Sequence, residues 1–221
     1  MRSLVRIKVC GIRTLEEGLW AVEAGADALG FVLHPESRRY VEPSQVQAIT
    51  AKLPPFVARV GVFVDKPRDA VEAMVEACGL TVVQLHGSQK PKEWMGSHFP
   101  IIKAFKGPQS EQDLSLSHRE ELRAWQGIAQ AILIDSTAAG KFGGTGTVLP
   151  WAEEFLQRWI LAIRKAGFPL LLAGGLTPEN VHEGMRLTEP YALDVSTGVE
   201  RDGKKDPALL REFFRQVLTP K

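Results

Sequence analysis

The sequence has 221 residues, of which 44% are hydrophobic and 24% are charged, and its formal net charge is +1 at pH 7. This length suits two small domains or one α/β barrel, and the hydrophobic content is sufficient for a large buried core. The near-neutral charge argues against a protein that attracts nucleic acid or an anionic membrane through its overall field. An anionic substrate must therefore be held by local groups.

The cysteine count and the hydrophobicity pattern narrow the class of protein further. Cys10 and Cys78 are too few for a disulfide framework, and their spacing is not that of a metal motif. Residues 1–4 lead into an apolar segment without the pattern of a signal peptide. No apolar run approaches the roughly 20 residues of a membrane-spanning helix. We therefore expect a cytoplasmic protein without a membrane segment.

Short apolar segments alternate with longer amphipathic ones, as expected for buried parallel strands separated by helices. The predicted strands are 5–10, Ala28–Leu33, Phe56–Val64, Thr81–Leu85, Ile101–Phe105, Ala131–Asp135, Leu170–Ala173 and Ala192–Val195. The predicted helices are Leu15–Ala24, Pro43–Leu53, Arg68–Ala77, Glu111–Trp125, Val148–Ala166, Pro178–Leu187 and Pro207–Leu218. Thr14 is positioned to cap the first helix, and Gly25 to end it.

These elements form eight successive strand–helix units with no composition break or linker between them. The repetition favours class α/β and a single (β/α)8 TIM barrel over residues 1–221, rather than an open doubly wound sheet. Active sites of such barrels lie at the C-terminal ends of the strands and in the loops that follow. Polar residues at those positions are therefore the candidate site.

Two late turns carry a signal for phosphate binding. Gly174 and Gly175 follow the seventh strand, and Ser196 and Gly198 follow the eighth. Glycines allow backbone N–H groups to approach a phosphate, and many barrels hold phosphate at these two loops. Either turn alone would be interpreted as an ordinary glycine turn. The two together favour a phosphate site.

The first strand ends in a cysteine whose role its own neighbours do not decide. A lone cysteine at a strand end is usually a small buried hydrophobe, whereas a base needs the thiolate. Lys8 lies two residues earlier on the same strand face and could stabilise that thiolate. Cys78, by contrast, belongs to an apolar helical stripe and is interpreted as a packing residue.

Three further polar side chains follow predicted strands, and each has two interpretations. Asp135 is either a turn residue or an acid beside the glycine-rich loop at 138–147. Arg38 and Arg39 are either solvated or bind a substrate carboxylate. His86 is as well suited to orienting its neighbours as to transferring protons.

Eight motifs occur in the order found in one enzyme family. They are Lys8–Ile12, Gly30–Val32 with Ser37–Tyr40, Val60–Phe63, Val83–Gly87, Leu133–Ser136, Gly143–Gly146, Leu172–Val181 and Leu193–Glu200. On these motifs the sequence resembles the phosphoribosylanthranilate isomerase family of tryptophan biosynthesis over essentially its full length. The resemblance implies an enzyme that performs an Amadori rearrangement of N-(5-phosphoribosyl)anthranilate into its deoxyribulose isomer.

The resemblance also implies roles for individual residues. Asp135 matches the general acid that helps to open the ribose ring, and Cys10 matches the general base that removes the C2 proton. Arg39 matches the arginine that faces the anthranilate carboxylate. The matched phosphate turns contain Gly174, Gly175, Ser196 and Gly198, and we expect His86 and Asp194 to line the substrate site. No metal or cofactor is expected, the expected partner is a small phosphorylated substrate, and a homodimer stays open.

Two alternatives remain. The first is the histidine-pathway Amadori isomerase, which is expected to use paired aspartates on strands one and five. Here strand one ends at Cys10 and strand five at Phe105, which argues against it. The second is a noncatalytic barrel that only binds a phosphorylated ligand or a partner protein. The presence of an acid, a base and phosphate turns makes that interpretation the weaker one.

Overall fold

The computed structural model of the protein describes residues 5–113, 116–136 and 148–219, so the predicted glycine-rich loop at 138–147 lies outside the described residues. Eight parallel strands form a closed barrel in which each strand pairs with the next one along the chain. The strands are β1 (Arg6–Cys10), β2 (Ala28–Val32), β3 (Ala58–Phe63), β4 (Val82–His86), β5 (Ile101–Lys106), β6 (Ala131–Asp135), β7 (Leu170–Leu172) and β8 (Ala192–Val195). Pairing of β1 with β8 closes the barrel. The predicted (β/α)8 fold is confirmed.

Within the described residues, α-helices follow seven of the eight strands, whereas β4 is followed only by a 3-10 turn at Pro91–Trp94, so one of the eight predicted strand–helix units lacks an α-helix. The helices are α1 (Leu15–Ala24), α2 (Pro43–Thr50), α3 (Arg68–Ala77), α4 (Leu116–Ala124), α5 (Glu154–Lys165), α6 (Val181–Thr188) and α7 (Pro207–Leu218). Between β8 and α7, a 3-10 turn (Thr197–Val199) precedes a short hairpin of β9 (Glu200–Arg201) and β10 (Lys204–Lys205). The predicted caps of α1 are confirmed, because Thr14 accepts a hydrogen bond from Glu17 N and Gly25 ends the helix with a left-handed φ of 109°. None of the helices in the described ranges is long and apolar enough to cross a membrane.

Two predicted helices begin later in the structure. The helix predicted from Val148 starts at Glu154, because Leu149 and Trp151 are buried as side-chain anchors of a non-helical turn. The helix predicted from Pro178 starts at Val181. There the Asn180 side chain accepts from Thr177 N at 2.8 Å and donates to Gly175 O at 2.8 Å, which holds the preceding residues in a turn.

Two other helical predictions were also too long. The segment predicted as one helix over Glu111–Trp125 contains a 3-10 turn at Glu111–Asp113 and then the shorter α4. The second helix stops at Thr50 instead of Leu53, because the chain turns there ahead of Pro54 and Pro55. These differences change helix ends and leave the order of elements intact.

Side chains alternate between the two faces of the barrel wall, as strand geometry requires. Ile7 and Val9 of β1 belong to the large apolar layer between the sheet and the helices. A smaller cluster inside the barrel is built from short or branched residues, including Ala104, Leu133 and Leu171. Because Ile7 and Val9 face outward, Lys8 and Cys10 face the barrel interior, at the end where the site is expected.

Candidate active site

One cavity opens to solvent at the C-terminal ends of the strands. It is lined by all nine residues that the sequence marked as catalytic or substrate-binding, which are Cys10, Arg39, His86, Asp135, Gly174, Gly175, Asp194, Ser196 and Gly198. The structure therefore brings the whole predicted set together at one place.

The side chains of Cys10 and Lys8 both pack against Gly30 of β2. A methyl group added at Gly30 would lie 2.8 Å from Cys10 Sγ and 2.9 Å from Lys8 Nζ, so only glycine leaves room for both groups. Burial raises the pKa of the Cys10 thiol and outweighs the opposing charge of Lys8. The position of both groups against Gly30 places the Lys8 ammonium beside the cysteine sulfur.

Lys8 also forms a buried ion pair with Asp194 of β8. Lys8 Nζ donates to Asp194 Oδ1 at 2.8 Å, and the two side chains are only 3% and 8% exposed. Burial alone would lower the pKa of Lys8, but its interactions with the Asp194 carboxylate and with Cys10 outweigh burial and raise that pKa. The ammonium charge beside Cys10 is therefore kept by a carboxylate from the neighbouring strand.

Asp135 and His86 end strands β6 and β4 on another part of the cavity wall. Burial lowers the pKa of His86, and the charge of Asp135 acts against that effect. The positive charges of Lys103 and Lys8 lower the pKa of His86 further. His86 is therefore a neutral imidazole at pH 7, able to accept or donate a hydrogen bond beside Asp135.

The two glycine turns approach each other closely. Gly174 and Gly175 both have left-handed backbones, with φ of 85° and 67°. A Cβ at Gly198 would lie only 1.9 Å from Leu176 O, so a side chain at Gly198 would collide with the turn that follows β7. Ser196 Oγ donates to Cys10 O at 2.9 Å and so connects the β8 turn to the end of β1.

Arg39 lines the cavity with its guanidinium already engaged by protein groups. Its Nε and Nη2 donate to the two carboxylate oxygens of Glu200 at 2.7 Å each, and Nη2 also donates to Thr197 Oγ1 at 2.8 Å. Lys205 Nζ donates to the same carboxylate at 2.8 Å. Although burial would raise the pKa of Glu200, these two cations lower it to about 2. Arg39 therefore has a charged partner within the chain before any substrate binds.

The sequence model of the family "N-(5'phosphoribosyl)anthranilate (PRA) isomerase" matches residues 7–216. The chain belongs to this family. The N-(5'-phosphoribosyl)anthranilate isomerase of Desulfitobacterium hafniense strain Y51 is 42% identical over 232 residues, covering 96% of this chain and 97% of that protein.

Solved structures of family members have the same barrel. The phosphoribosyl anthranilate isomerase of Thermotoga maritima matches with a TM-score of 0.82 and 37% identity, covering 97% of this chain and 98% of that one. A second family structure contains reduced 1-(o-carboxyphenylamino)-1-deoxyribulose 5-phosphate. It matches with a TM-score of 0.79 and 35% identity, with coverages of 97% and 98%.

The sequence did not reveal the partners of the predicted residues. Glu200 ends the matched motif Leu193–Glu200 and Lys205 has no predicted role, yet Glu200 accepts from Arg39, and Lys205 donates to Ser196 O and to Glu200. Gln84 was not among the predicted site residues, although it lines the cavity and lies two residues before His86 in β4. Gln84 could have been predicted, because it is a polar residue in an apolar strand and lies on the same strand face as the predicted site residue His86.

Proposed function

We propose that the protein catalyses the Amadori rearrangement of N-(5-phosphoribosyl)anthranilate to 1-(2-carboxyphenylamino)-1-deoxyribulose 5-phosphate in tryptophan biosynthesis. The observation that carries the proposal is the common cavity of Cys10 and Asp135, which also contains the turns after β7 and β8. This reaction moves protons between positions of one substrate molecule, so it needs an acid and a base of the protein within hydrogen-bonding distance of the sugar. The family relationship supports the same reaction.

The proposed steps balance protons between two side chains. Asp135, as the acid, protonates the ribose ring oxygen while the C1–O bond breaks and the nitrogen lone pair forms an iminium. The Cys10 thiolate then takes the proton from C2, and the C–H electrons form a C1=C2 bond as nitrogen regains its lone pair. Return of the Cys10 proton to C1, and of the C2 hydroxyl proton to Asp135, yields the ketone and resets both groups.

The charges around Cys10 support its proposed role as a base. Burial outweighs the charge of Lys8 and keeps the pKa of Cys10 raised, so its thiolate is a strong proton acceptor once formed, and Lys8 is the charge that favours its formation. The pair Lys8–Asp194 is buried and therefore weakly screened by solvent. We assign Lys8 to stabilising the Cys10 thiolate, and Asp194 to holding Lys8 as well as lining the substrate site.

The other residues are assigned to binding. The backbone of Gly174, Gly175 and Gly198, with the Ser196 hydroxyl, is proposed to hold the phosphate, as the two adjoining turns suggest. Arg39 is proposed to face the substrate carboxylate while Glu200 fixes its orientation. Anchoring the two anionic ends of the substrate would position the sugar carbons between Cys10 and Asp135. Residues 1–221 would then act as one catalytic domain.

An activity assay on the two proposed catalytic residues tests the function. Turnover of freshly generated phosphoribosylanthranilate is followed by anthranilate fluorescence in the wild type, Cys10→Ser and Asp135→Asn. Each variant is expected to lose about 10²–10⁴-fold in kcat, the usual contribution of a general acid or base. Cys78→Ser is the matched control, because Cys78 packs on α3 outside the cavity, and it is expected to keep activity.

Three outcomes would contradict the proposal. Wild-type turnover absent at high enzyme concentration would favour a noncatalytic barrel. Comparable turnover of the histidine-pathway aminoaldose would favour the other Amadori isomerase. Unchanged kcat in Cys10→Ser would remove the cysteine from the mechanism even if the activity itself is present.

We further propose that the protein works as a homodimer. Phe56 is 97% exposed and follows Pro54 and Pro55 in the loop before β3. Burial of the Phe56 side chain against a second copy of the protein would contribute about 1.5–3 kcal/mol to association. A T. maritima family structure that is 33% identical contains monomers generated from a dimeric enzyme. Sedimentation equilibrium should give a dimer for the wild type and weaker association for Phe56→Ser, and a monomeric wild type would contradict the proposal.

The cytoplasmic location stays a prediction of the sequence.

A further inference from the structure

Gln84 lies at the centre of β4 with its side chain inside the barrel. Its neighbours Val83 and Leu85 belong to the outer apolar layer, so the glutamine faces the interior and lines the active-site cavity. It lies two residues before His86 on the same strand face, one layer deeper in the barrel. Its side chain is almost completely buried, with 3% exposure.

The amide of Gln84 has an unsatisfied acceptor. Its Oε1 is buried and has no hydrogen-bond partner among the residues that the structure describes. The residues opposite it on the neighbouring strands are Val62 and Ile102, whose side chains carry no polar atom. Rotating the amide by 180° would exchange the acceptor for a donor and would still leave a polar group facing the cavity. Because buried polar groups are normally paired, a polar atom of the substrate is the expected partner.

We propose that Gln84 is a substrate-positioning residue whose amide hydrogen-bonds the C3 hydroxyl of the sugar. The inference rests on the proposed function and adds a contact to it. The chemistry of the three candidate hydroxyls separates them. The C4 hydroxyl is the former ring oxygen, whose partner is the acid Asp135 that protonates it. The C2 hydroxyl must give up its proton when the ketone forms, so its partner has to accept a proton, which a neutral amide does not do. The C3 hydroxyl keeps its proton throughout and suits an uncharged partner.

The position of that contact explains what it would do. C3 is bonded to C2, the carbon from which Cys10 removes a proton, so fixing the C3 hydroxyl limits rotation about the C2–C3 bond. The bound sugar then presents its C2–H bond to Cys10 in one orientation, which lowers the entropic cost of reaching the transition state. An analogue without the hydroxyl would leave the buried acceptor unpaired and would be rejected.

The experiment compares two substrates in the full-length protein. The wild type and Gln84→Met are assayed with phosphoribosylanthranilate and with the anthranilate N-glycoside of 3-deoxyribose 5-phosphate. Methionine has a similar length and lacks the amide. We expect Gln84→Met to lose about 10- to 100-fold in kcat/KM on the natural substrate and less than about threefold on the 3-deoxy analogue. Gln126→Met, in the exposed turn after α4 and outside the cavity, controls for the exchange itself and should keep wild-type kcat/KM on both substrates.

Thermal unfolding separates this role from a structural one. Removing an unpaired buried acceptor should leave the melting temperature of Gln84→Met at or above that of the wild type, whereas losing a structural hydrogen bond would lower it. The inference is overturned if Gln84→Met loses the same factor on both substrates, or if it melts lower with unchanged kcat/KM. Wild-type protein that fails to convert phosphoribosylanthranilate would overturn the proposed function, and this inference with it. Wild-type turnover with equal losses on both substrates would overturn only the contact.

Discussion

Lys8 and Lys103 are both buried lysines on strands of one barrel, and they lie on opposite faces of the sheet. Lys8 points into the barrel and pairs with the Asp194 carboxylate at 2.8 Å. Lys103 points outward, where its Nζ donates to Gly87 O at 2.5 Å and lies 5.5 Å from the ring centroid of Trp125. Among the described residues no ion pair is formed by Lys103.

The difference in partners produces a difference in charge. The carboxylate beside Lys8 outweighs burial and raises the pKa of Lys8. Burial lowers the pKa of Lys103 to about 8, because a carbonyl and an aromatic ring replace solvent only in part. A buried cation with its own carboxylate is thus a permanent charge, suited to the active site. A buried cation held by dipoles loses its charge above about pH 8, well below the usual range of a lysine.

The largest effect is expected from Lys8→Met. Removing this cation leaves the Asp194 carboxylate buried without its partner, which should cost about 3–5 kcal/mol in the free energy of unfolding measured with urea. Cys10 also loses the charge that favours its thiolate, so its alkylation by iodoacetamide at pH 7 should slow by at least tenfold.

A double variant separates the two consequences of that change. Lys8→Met with Asp194→Asn removes both charges, so most of the stability should return while the slow alkylation remains. Arg6→Met is the control on the same strand, since Arg6 pairs with Asp27 at the surface and its loss should change little. Normal alkylation in Lys8→Met would show that Lys8 does not act on the cysteine.

Glu200→Gln should give the next largest effect. The carboxylate holds Arg39 and Lys205, and its pKa is lowered from 4.5 to about 2. A lowered pKa in the folded state means that this group stabilises the protein above about pH 4.5 and that the stabilisation is lost as pH falls toward 2. At pH 7 the variant should therefore be about 2–3 kcal/mol less stable than the wild type.

The pH dependence of that difference is the decisive measurement. Urea unfolding of both proteins between pH 7 and pH 3 should give curves that converge as the pH falls below 4.5. A constant gap across this range would mean that the lost interaction is not that of the charged carboxylate. In the same proteins, KM for the substrate should rise in Glu200→Gln, because Arg39 loses the partner that orients it.

The location of the site was predictable from the sequence, because parallel strands end on one side of a barrel. Counting strands was enough to bring Cys10, His86 and Asp135 to the same rim, although they are far apart in the chain. The glycines after β7 and β8 were likewise found from their position alone. Lys8 was recognised as a neighbour of Cys10, because alternation along a strand fixes which residues share a face.

The electrostatic partners were not predictable in the same way. Lys8 and Asp194 are 186 positions apart, and Arg39 and Glu200 are 161 apart. Strand order brings such residues near each other, but which carboxylate meets which cation depends on register and side-chain rotamers. The helix starts at Glu154 and Val181 were predicted too early for a related reason. Buried side chains before Glu154 and side-chain hydrogen bonds before Val181 hold those residues in turns, although a proline in each segment favours a helix start there.

Lys103→Met should cost the least stability near pH 7.5, because the buried ammonium of Lys103 destabilises the folded protein there. Its pKa is lower in the folded protein, about 8, than in the unfolded chain, about 10.5, so between these values the unfolded state binds more protons. Stability from this group therefore increases with pH over that interval, by about 2–3 kcal/mol. The difference in unfolding free energy between the wild type and Lys103→Met, measured in urea from pH 7.5 to 10.5, isolates it from other titrating groups. The wild type should gain relative to the variant as pH rises. A relative loss would mean that Lys103 is stabilised as a cation by its carbonyl and aromatic partners, and would remove the contrast with Lys8.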